Sequence, residues 1–407
     1  MRASLPWWWP SWLAFCSTLP PCHGSAQEGA PPTGYVCVVI SSPVAPVPAL
    51  APYDGVLLVS FGGPEGHDEV MPFLERVTAG RGIPAERLEE VASHYHRRGG
   101  ISPINAQNRA LVDALAAELA TAGEPIPVRL GNRNSPPFLA DTIQEFVAAG
   151  HKRLLAVLTS AYSSYSSCRQ YRENLAEAVS VVAGADDLVI DKIAPWHGLP
   201  AFVEITAGHV LAALADRPPH TTRVLGVTHS IPQAMNDASG PPSVRGLYLD
   251  QHERVLAAVG DRVRARHPEI PAPELVYCSR SGPPSQPWLE PDVSDRLRGL
   301  AQEGVRCVVL APIGFVSDHM EVVSDLDTDA VAAVEAVGVE VIRVPTVGTD
   351  PRLVRDLVAL MADRAAQARG LEVPARTILA GDQRPAECEA DCCASLRGPR
   401  PALCGVS

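Results

Sequence analysis

The chain has 407 residues, 46% of them hydrophobic and 20% charged, with a formal net charge of −12. That length is ample for a large core and allows two or three domains. The acidic balance, without any basic block or stripe, argues against nucleic acid as a partner, and no apolar run approaches the ~20 residues of a spanning helix.

Residues 1–52 are unlike the rest. Pro residues interrupt or closely follow the apolar patch around Trp7–Trp9, and the stretch up to Pro52 is rich in Pro and Ala without periodicity. A secretory signal would need an unbroken apolar segment. The leader reads instead as a disordered extension or a mis-called start, ahead of a body that reads as cytoplasmic.

Regular order begins at Tyr53. Asp54–Phe61 (DGVLLVSF) is a short apolar run with the character of a buried strand, ended by Gly62, Gly63 and Pro64. Helical patterns follow at Asp68–Val77, Glu86–Tyr95 and Asn105–Ala122. Strands are expected at Val128–Gly131, Lys152–Leu158 and Leu188–Ile190, with helices at Leu139–Ala149, Gln170–Val182 and Pro200–Ala215. Tyr162–Cys168 reads as a Ser/Tyr-rich loop, and Pro218–Pro219 marks a linker. The second half repeats this grammar. Strands are expected at Arg223–Thr228, Leu275–Tyr277, Arg306–Ala311 and Val339–Val344. Helices are expected at Tyr248–Arg266, Asp292–Glu303 and Pro351–Arg369. The halves share a rhythm of elements without a close sequence repeat. Strands alternating with helices of these lengths predict parallel sheets covered by helices, about four strands in each half. The boundaries fall at 53–217, 218–370 and a Cys-rich tail at 371–407.

The chemistry gathers where strands end. After Arg306–Ala311 the run Pro312–Gly314 breaks the strand, and a helix is expected from about Val316, capped by Ser317 or Asp318. Glu321, Asp325 and Asp329 then recur every four residues, which on a helix puts three carboxylates on one face. Like charges so placed repel, so the row needs solvent, a cation, or protons passing along it. A solvated face would explain the row in isolation. Its place just past a strand end, where open α/β sheets bind ligands, points to function. His229 lies just past the strand Arg223–Thr228 of the same half, so His229 and Glu321 are expected to face each other as a metal site or a proton-transfer pair. His319, two residues before Glu321, is expected to point elsewhere.

VLLVSFGGP, GGISPINAQ, GVTHSIP, PWLEPDV and PIGFVSDHMEVVSDLD occur in this order between Tyr53 and Arg369. Together they resemble the ferrochelatases. GGPEG, GNRN, TSAYSSYSSC and YCSRSGPP bring the likeness nearest to the actinobacterial coproporphyrin ferrochelatases. The resemblance implies an α/β fold of two Rossmann-like halves with a porphyrin cleft between them. It also implies insertion of ferrous iron into coproporphyrin III, without a nucleotide or a redox step. It makes His229 and Glu321 the metal pair, with Asp325 and Asp329 as the acidic ridge. Ser102 and Tyr171 become porphyrin contacts. Phe61, Tyr162, Tyr165, Trp288 and Phe315 are candidate walls for a flat ring, with core packing expected to claim at least two of them. Phe61 stands where some members carry a Tyr able to ligate iron. Thr78 and Ala79 stand where some relatives have basic residues that hold porphyrin carboxylates, leaving Arg76, Arg81, Arg97 and Arg98 as candidates. A related chelatase acting on protoporphyrin IX or sirohydrochlorin, and a non-enzymatic porphyrin carrier, are the rival functions. A monomer is compatible with the sequence.

The cysteines divide into groups. Cys278 and Cys307 adjoin strands and are expected as core thiols. The tail ECEADCCASLRGPRPALC crowds Cys388, Cys392, Cys393 and Cys404. In a reducing compartment such density favours metal over disulfides. The resemblance implies a [2Fe–2S] cluster held by tail cysteines and one from the body: Cys388, Cys392 and Cys393 with Cys168, or Cys404 in place of one of the adjacent pair. A Cys₄ zinc site is the alternative.

Overall fold

The computed structural model describes residues 49–404 except 81, 284, 383 and 384. The leader expectation for residues 1–48 lies outside the described residues. Leu50 is buried in the core.

The first half holds strands β1 (Gly55–Ser60), β2 (Val128–Asn132), β3 (Arg153–Leu158) and β4 (Val189–Lys192), parallel and in the order β2-β1-β3-β4. The second holds β5 (Thr222–His229), β6 (Glu274–Cys278), β7 (Cys307–Ala311) and β8 (Glu340–Arg343), parallel and in the matching order β6-β5-β7-β8. Every residue of β1 and of β7 is buried. Strands of that kind need cover on both faces, and the crossover helices provide it.

The helices are α1 (His67–Thr78), α2 (Ala85–His96), α3 (Ile104–Thr121), α4 (Leu139–Ala148), α5 (Gln170–Val181), α6 (Pro200–Leu214), α7 (Gln233–Asp237), α8 (Leu247–Arg264), α9 (Val293–Gln302), α10 (Ala330–Glu335) and α11 (Pro351–Ala368). Side chains alternate along β1. Val56 and Leu58 join the largest apolar cluster, shared between the halves with Leu115 of α3, Phe202 of α6, Val255 of α8 and Leu357 of α11. Leu57 and Val59 face outward onto Ile143 and Phe146 of α4 and Leu175 of α5. The second sheet has its own outer layer, where Leu225, Val227 and Leu310 meet Leu297 of α9 and Val334 of α10. Truncating a fully buried residue such as Leu57 to Ala would cost about 2–5 kcal/mol.

A fourth cluster matters for the site. Val70, Phe73 and Leu74 of α1 pack with Ala92 and Tyr95 of α2 and with Met320 of the other half. The α1–α2 hairpin therefore rests on the segment that carries the acidic row.

Three local features differ from the sequence reading. The helix expected from Val316 begins only at Met320. Ser317 Oγ donates to Asn108 Oδ1 (3.3 Å), the Asp318 amide donates to Gln107 Oε1 (2.8 Å), and the Asp318 carboxylate pairs with Arg343 (3.1 Å). Both proposed caps are thus engaged by other elements, and Val316–His319 stays irregular. The segment Val322–Asp329 is π-helical, a wider turn that is commonly found at functional sites. Tyr165–Arg169, read as loop, is a second π-helical turn.

The tail lies against both halves. Its backbone bonds Ile378 to Gly198, Leu403 to Arg172 and Cys393 to Gly240.

Candidate active site

The strand order fixes where the site opens. β5 lies next to β7, while β6 flanks β5 and β8 flanks β7. The connections leaving β5 and β7 therefore diverge, and a crevice forms beyond their carboxyl ends. His229 is the last residue of β5, and Glu321 follows β7 after the Pro312–His319 run. His229 Nε2 lies 3.4 Å from Glu321 Oε2. The imidazole is oriented from behind: Nδ1 donates to the Ser230 carbonyl (2.5 Å), and the His229 carbonyl accepts from Tyr248 Oη (2.8 Å). That leaves Nε2 as the nitrogen presented to Glu321 and to a substrate.

His319 is closer to this pair than its sequence position suggested. Its Nδ1 lies 3.8 Å from the same Glu321 oxygen. The irregular run before Met320, not a helix, sets its direction. Desolvation within the cleft opposes ionisation of the half-exposed Glu321, but the two imidazoles, His229 foremost, outweigh it and lower its pKa to about 2. Burial likewise opposes a charge on His229, yet the Glu321 carboxylate and the Ser230 carbonyl hold its pKa above the ordinary value. His319 goes the other way, lowered chiefly by burial. Two imidazoles flanking one carboxylate thus have opposite tendencies, the arrangement that separates an acid from a base.

Asp325 is one turn further along. Ser279 Oγ, just past the end of β6, donates to its carboxylate. Burial and then the Glu321 charge raise the Asp325 pKa to about 7, with the Ser279 bond acting against them. Ser279 has φ of 62°, a left-handed conformation that is strained for a serine and consistent with a functional constraint. Asp329 is exposed at the far end of the row. Asp327, on another face, is held by Arg343. The hairpin braces the π segment: His94 Nδ1 lies 3.0 Å from Ser324 Oγ, and Arg98 donates to Thr328 Oγ1 (2.8 Å).

The candidate substrate contacts separate into two sets. Phe61 is half-buried, and Tyr171 is buried at the end of the first sheet. The Arg133 guanidinium sits 5.4 Å from the Phe61 ring centroid and 4.6 Å from that of Tyr171. Ser102 is buried against Gly63, where an added Cβ would come within 2.6 Å of the Ser102 Cβ, so the β1–α1 turn requires a glycine there. Trp288 bridges to Pro232, in the loop that follows His229. Tyr162 is a correction. It is 3% exposed, its hydroxyl donates to the Ile313 carbonyl (2.8 Å), and its ring stacks on His252 (3.6 Å) and His197 (5.3 Å). With both neighbours in place it is a core residue, not a wall for a ligand. Phe315 is also buried in the core. Among the arginines, Arg76 donates to the Asn134 carbonyl (2.8 Å), Arg97 to Ser93 (3.2 Å), and Arg81 lies outside the described residues. Sequence reasoning missed Arg133 and Ser279. Both directly follow the ends of strands, the signal that singled out His229.

The tail brings Cys388, Cys392 and Cys393 to Cys168, which lies in the π turn before α5. Cys168 and Cys388 are within hydrogen-bonding reach, as are Cys388 and Cys392, and Cys392 Sγ lies 3.9 Å from Cys393 Sγ. These bonds set the thiol pKa values in opposite directions, Cys168 and Cys392 up and Cys388 and Cys393 down. The Gly240 amide donates to Cys393 Sγ (3.1 Å). Cys404 turns away, donating to the Ile190 carbonyl (3.0 Å). Among the described residues no three or more His, Cys, Asp or Glu side chains converge as ligands of one ion. Cys278 and Cys307 are buried free thiols beside their strands.

Comparison with known proteins gives a consistent result. The ferrochelatase family profile matches residues 53–365. The coproporphyrin III ferrochelatase of Streptomyces coelicolor is 48% identical over 364 residues, covering 88% of this chain and 97% of that protein. The coproporphyrin III ferrochelatase of Frankia alni is 47% identical, covering 84% and 87%. Among solved structures, SirB from Bacillus subtilis with Fe3+ aligns with a TM-score of 0.45 and 11% identity, covering 78% of this chain and 97% of that one, a likeness too distant to bear on function.

Proposed function

The chain belongs to the ferrochelatase family, and on that premise we propose that it inserts ferrous iron into coproporphyrin III to give coproheme, a step of haem biosynthesis. It is a metal chelatase of the lyase class. The observation that carries the mechanism is the His229–Glu321 pair, 3.4 Å apart at the switch point of the second sheet.

Insertion exchanges two pyrrole protons for one ferrous ion, so the site must handle a hard cation and dispose of protons. His229 Nε2 is the base for the pyrrole protons and a ligand for the incoming iron. Glu321, ionised at neutral pH, stabilises the imidazolium that forms and completes the metal pair. Asp325, with a pKa of about 7, can accept a proton and release it at physiological pH. Exposed Asp329 passes protons and iron between this row and water. Phe61 and Trp288 contact the macrocycle, buried Tyr171 backs Arg133, Ser102 closes the turn beneath the ring, and Arg133 supplies a cation for a propionate.

The curated relatives support coproporphyrin III as the substrate, and so does the α1–α2 hairpin. Its exposed surface carries Glu75, Arg76, Glu86, Arg87, Glu89 and Glu90, while Phe73 and Leu74 point into the core. A hydrophilic rim leaves the extra propionates of a four-propionate porphyrin in water and offers no apolar lip to vinyl groups. The test is kcat/KM for Fe²⁺ insertion into coproporphyrin III against protoporphyrin IX in detergent-free buffer. A preference for protoporphyrin would overturn the substrate assignment, and porphyrin binding without insertion would point to a carrier.

Cys168, Cys388, Cys392 and Cys393 are the proposed ligands of a [2Fe–2S] cluster. A single tetrahedral zinc with ~2.3 Å bonds needs every pair of sulfurs about 3.8 Å apart around one point. Four thiols match in number the two thiolates on each iron of a [2Fe–2S] cluster, and metal and sulfide analysis distinguishes it from zinc. When bound, such a cluster supplies a one-electron couple and a cross-link between the tail and the body. The cytoplasm, a reducing compartment in which crowded cysteines serve metals and not disulfides, is the proposed location. Among the described residues no helix is long and apolar enough to cross a membrane.

A further inference from the structure

Two cations are buried beside the cysteine group, and the iron-insertion chemistry uses neither. Lys192, the last residue of β4, is 1% exposed, and Arg172 of α5 is 3% exposed. Lys192 lines the same small cavity as Cys168 and Ser167. Its charge acts on Cys168, Cys388 and Cys404, and that of Arg172 acts on Cys388 and Cys404. The two cations also act on each other, like against like.

Neither has a carboxylate partner among the described residues. Lys192 Nζ donates to the Ile193 carbonyl at 3.3 Å. Arg172 Nε donates to the Leu403 carbonyl at 2.5 Å, and its Nη1 is buried with no hydrogen-bond partner. Elsewhere the buried arginine Arg364 meets Asp191 and Glu387. A buried charge without an opposite charge costs several kcal/mol, and two adjacent like charges cost more. The fold therefore calls for negative charge at this point, and the thiolates of the cysteine group, drawn together as cluster ligands, would supply it.

We propose that Lys192 and Arg172 are the counter-charges of the iron–sulfur cluster, a cationic cradle that holds it and raises its reduction potential. The proposal rests on the cluster assignment above. A [2Fe–2S] centre on four thiolates carries two net negative charges when both irons are ferric and three after gaining one electron. Nearby fixed cations stabilise both forms, the reduced one more. Net charge, hydrogen bonds to sulfur and exposure are the terms by which a protein sets such potentials. The two residues come from different elements, β4 and α5, and Arg172 also fastens the tail through its backbone: Leu403 N donates to the Arg172 carbonyl at 3.1 Å.

The test compares the wild-type protein with Lys192→Met, which keeps the length and loses the charge, and Lys192→Arg, which keeps the charge. Iron and acid-labile sulfide are counted, and the potential is measured by mediated spectroelectrochemistry, with the electrode supplying the electron. Lys192→Met is expected to lower the potential by at least a tenfold change in the reduction equilibrium, about 59 mV for one electron, with Lys192→Arg near wild type. If Lys192→Met loses the cluster outright, retention in Lys192→Arg still supports the charge role, whereas equal loss in both shows a packing role and overturns it. A Lys192→Met protein with unchanged cluster content and potential also overturns it. A wild-type protein that binds zinc or no metal overturns the cluster assignment itself, and this proposal with it.

Discussion

Replacing Glu321 with Gln tests the electrostatics of the metal pair directly. The change keeps the shape and a hydrogen-bonding oxygen and removes one charge, 3.4 Å from His229 Nε2. At that distance two unit charges interact by about 1.2 kcal/mol in bulk water and about 5 kcal/mol at an effective dielectric constant of about 20. The side chains are 34% and 49% exposed, so solvent screening sets the value near the lower limit, at about 1–2 kcal/mol. That corresponds to about one pH unit. The His229 pKa, raised in the wild type, should fall by about this amount, followed by NMR titration of the histidine ring protons in the porphyrin-free protein. Turnover should fall with coproporphyrin III and protoporphyrin IX alike, by about 100-fold or more, because the carboxylate serves metal and proton handling and not propionate recognition. The effect on stability has a defined window. The Glu321 contribution is fully present above its ordinary value of 4.5 and is lost toward pH 2, and the His229 contribution is fully present below its ordinary value of 6.5 and is lost as pH rises through the raised value, so the variant should lose most melting temperature at mildly acidic pH and least at alkaline pH. A folded variant whose His229 titrates within about 0.3 pH units of the wild type would refute the reasoning.

His229→Ala should leave the circular dichroism spectrum close to wild type and, like Glu321→Gln, lower the melting temperature at mildly acidic pH, while lowering kcat/KM by about 10²- to 10⁴-fold; a folded variant with normal turnover would remove His229 from the mechanism. Asp325 has a folded pKa of about 7 against an ordinary 3.8, so the native state binds the extra proton between these values and loses stability as pH rises through them. Asp325→Asn should therefore melt progressively higher than wild type from pH 4 to pH 8, and a pH-independent difference between the two would contradict the assignment. Removing residues 1–48 should preserve turnover, whereas Leu50→Ala in the shortened protein should cost about 2–5 kcal/mol in chemical denaturation, since Leu50 is 1% exposed; a truncated protein that fails to fold would place part of the leader in the domain.

The fold was legible because its central strands are apolar throughout. GVLLVS and CVVLA leave no polar side for water, which specifies buried parallel strands and covering helices. Element rhythm then gave two sheets of four strands. The pairing of His229 with Glu321 was also legible, since both follow strands of one half and strand ends are where such sheets bind. Ser279 and Arg133 follow strands too, but a serine and an arginine stand out less in a sequence than a histidine beside an acidic row. His319 and Tyr162 were misread for non-local reasons. The first is turned toward Glu321 by contacts from Asn108, Gln107 and Arg343 to the residues before it. The second is enclosed by His197 and His252, from distant parts of the chain. No local pattern encodes either arrangement.

The π segment is an intermediate case, because a trace of it is present in the spacing. On an α-helix of 3.6 residues per turn, positions four apart drift by about 40° each step, so Glu321 and Asp329 would diverge by about 80°. The buried residues Val322, Leu326, Ala330 and Val334 keep the same strict spacing of four. A helix that must hold both an apolar row on the sheet and an acidic row at the cleft in this register gains from turns wider than the α form. The π-helical stretch Val322–Asp329, joined to the α-helical Ala330–Glu335, brings the average closer to four residues per turn. Its cost is offset by the side chains that brace it, His94 from α2, Arg98 just past its end and Arg343 from β8. The acidic row and the apolar row are thus two readings of one constraint. Shifting either by one residue would turn the carboxylates from the cleft or lift the helix from its sheet.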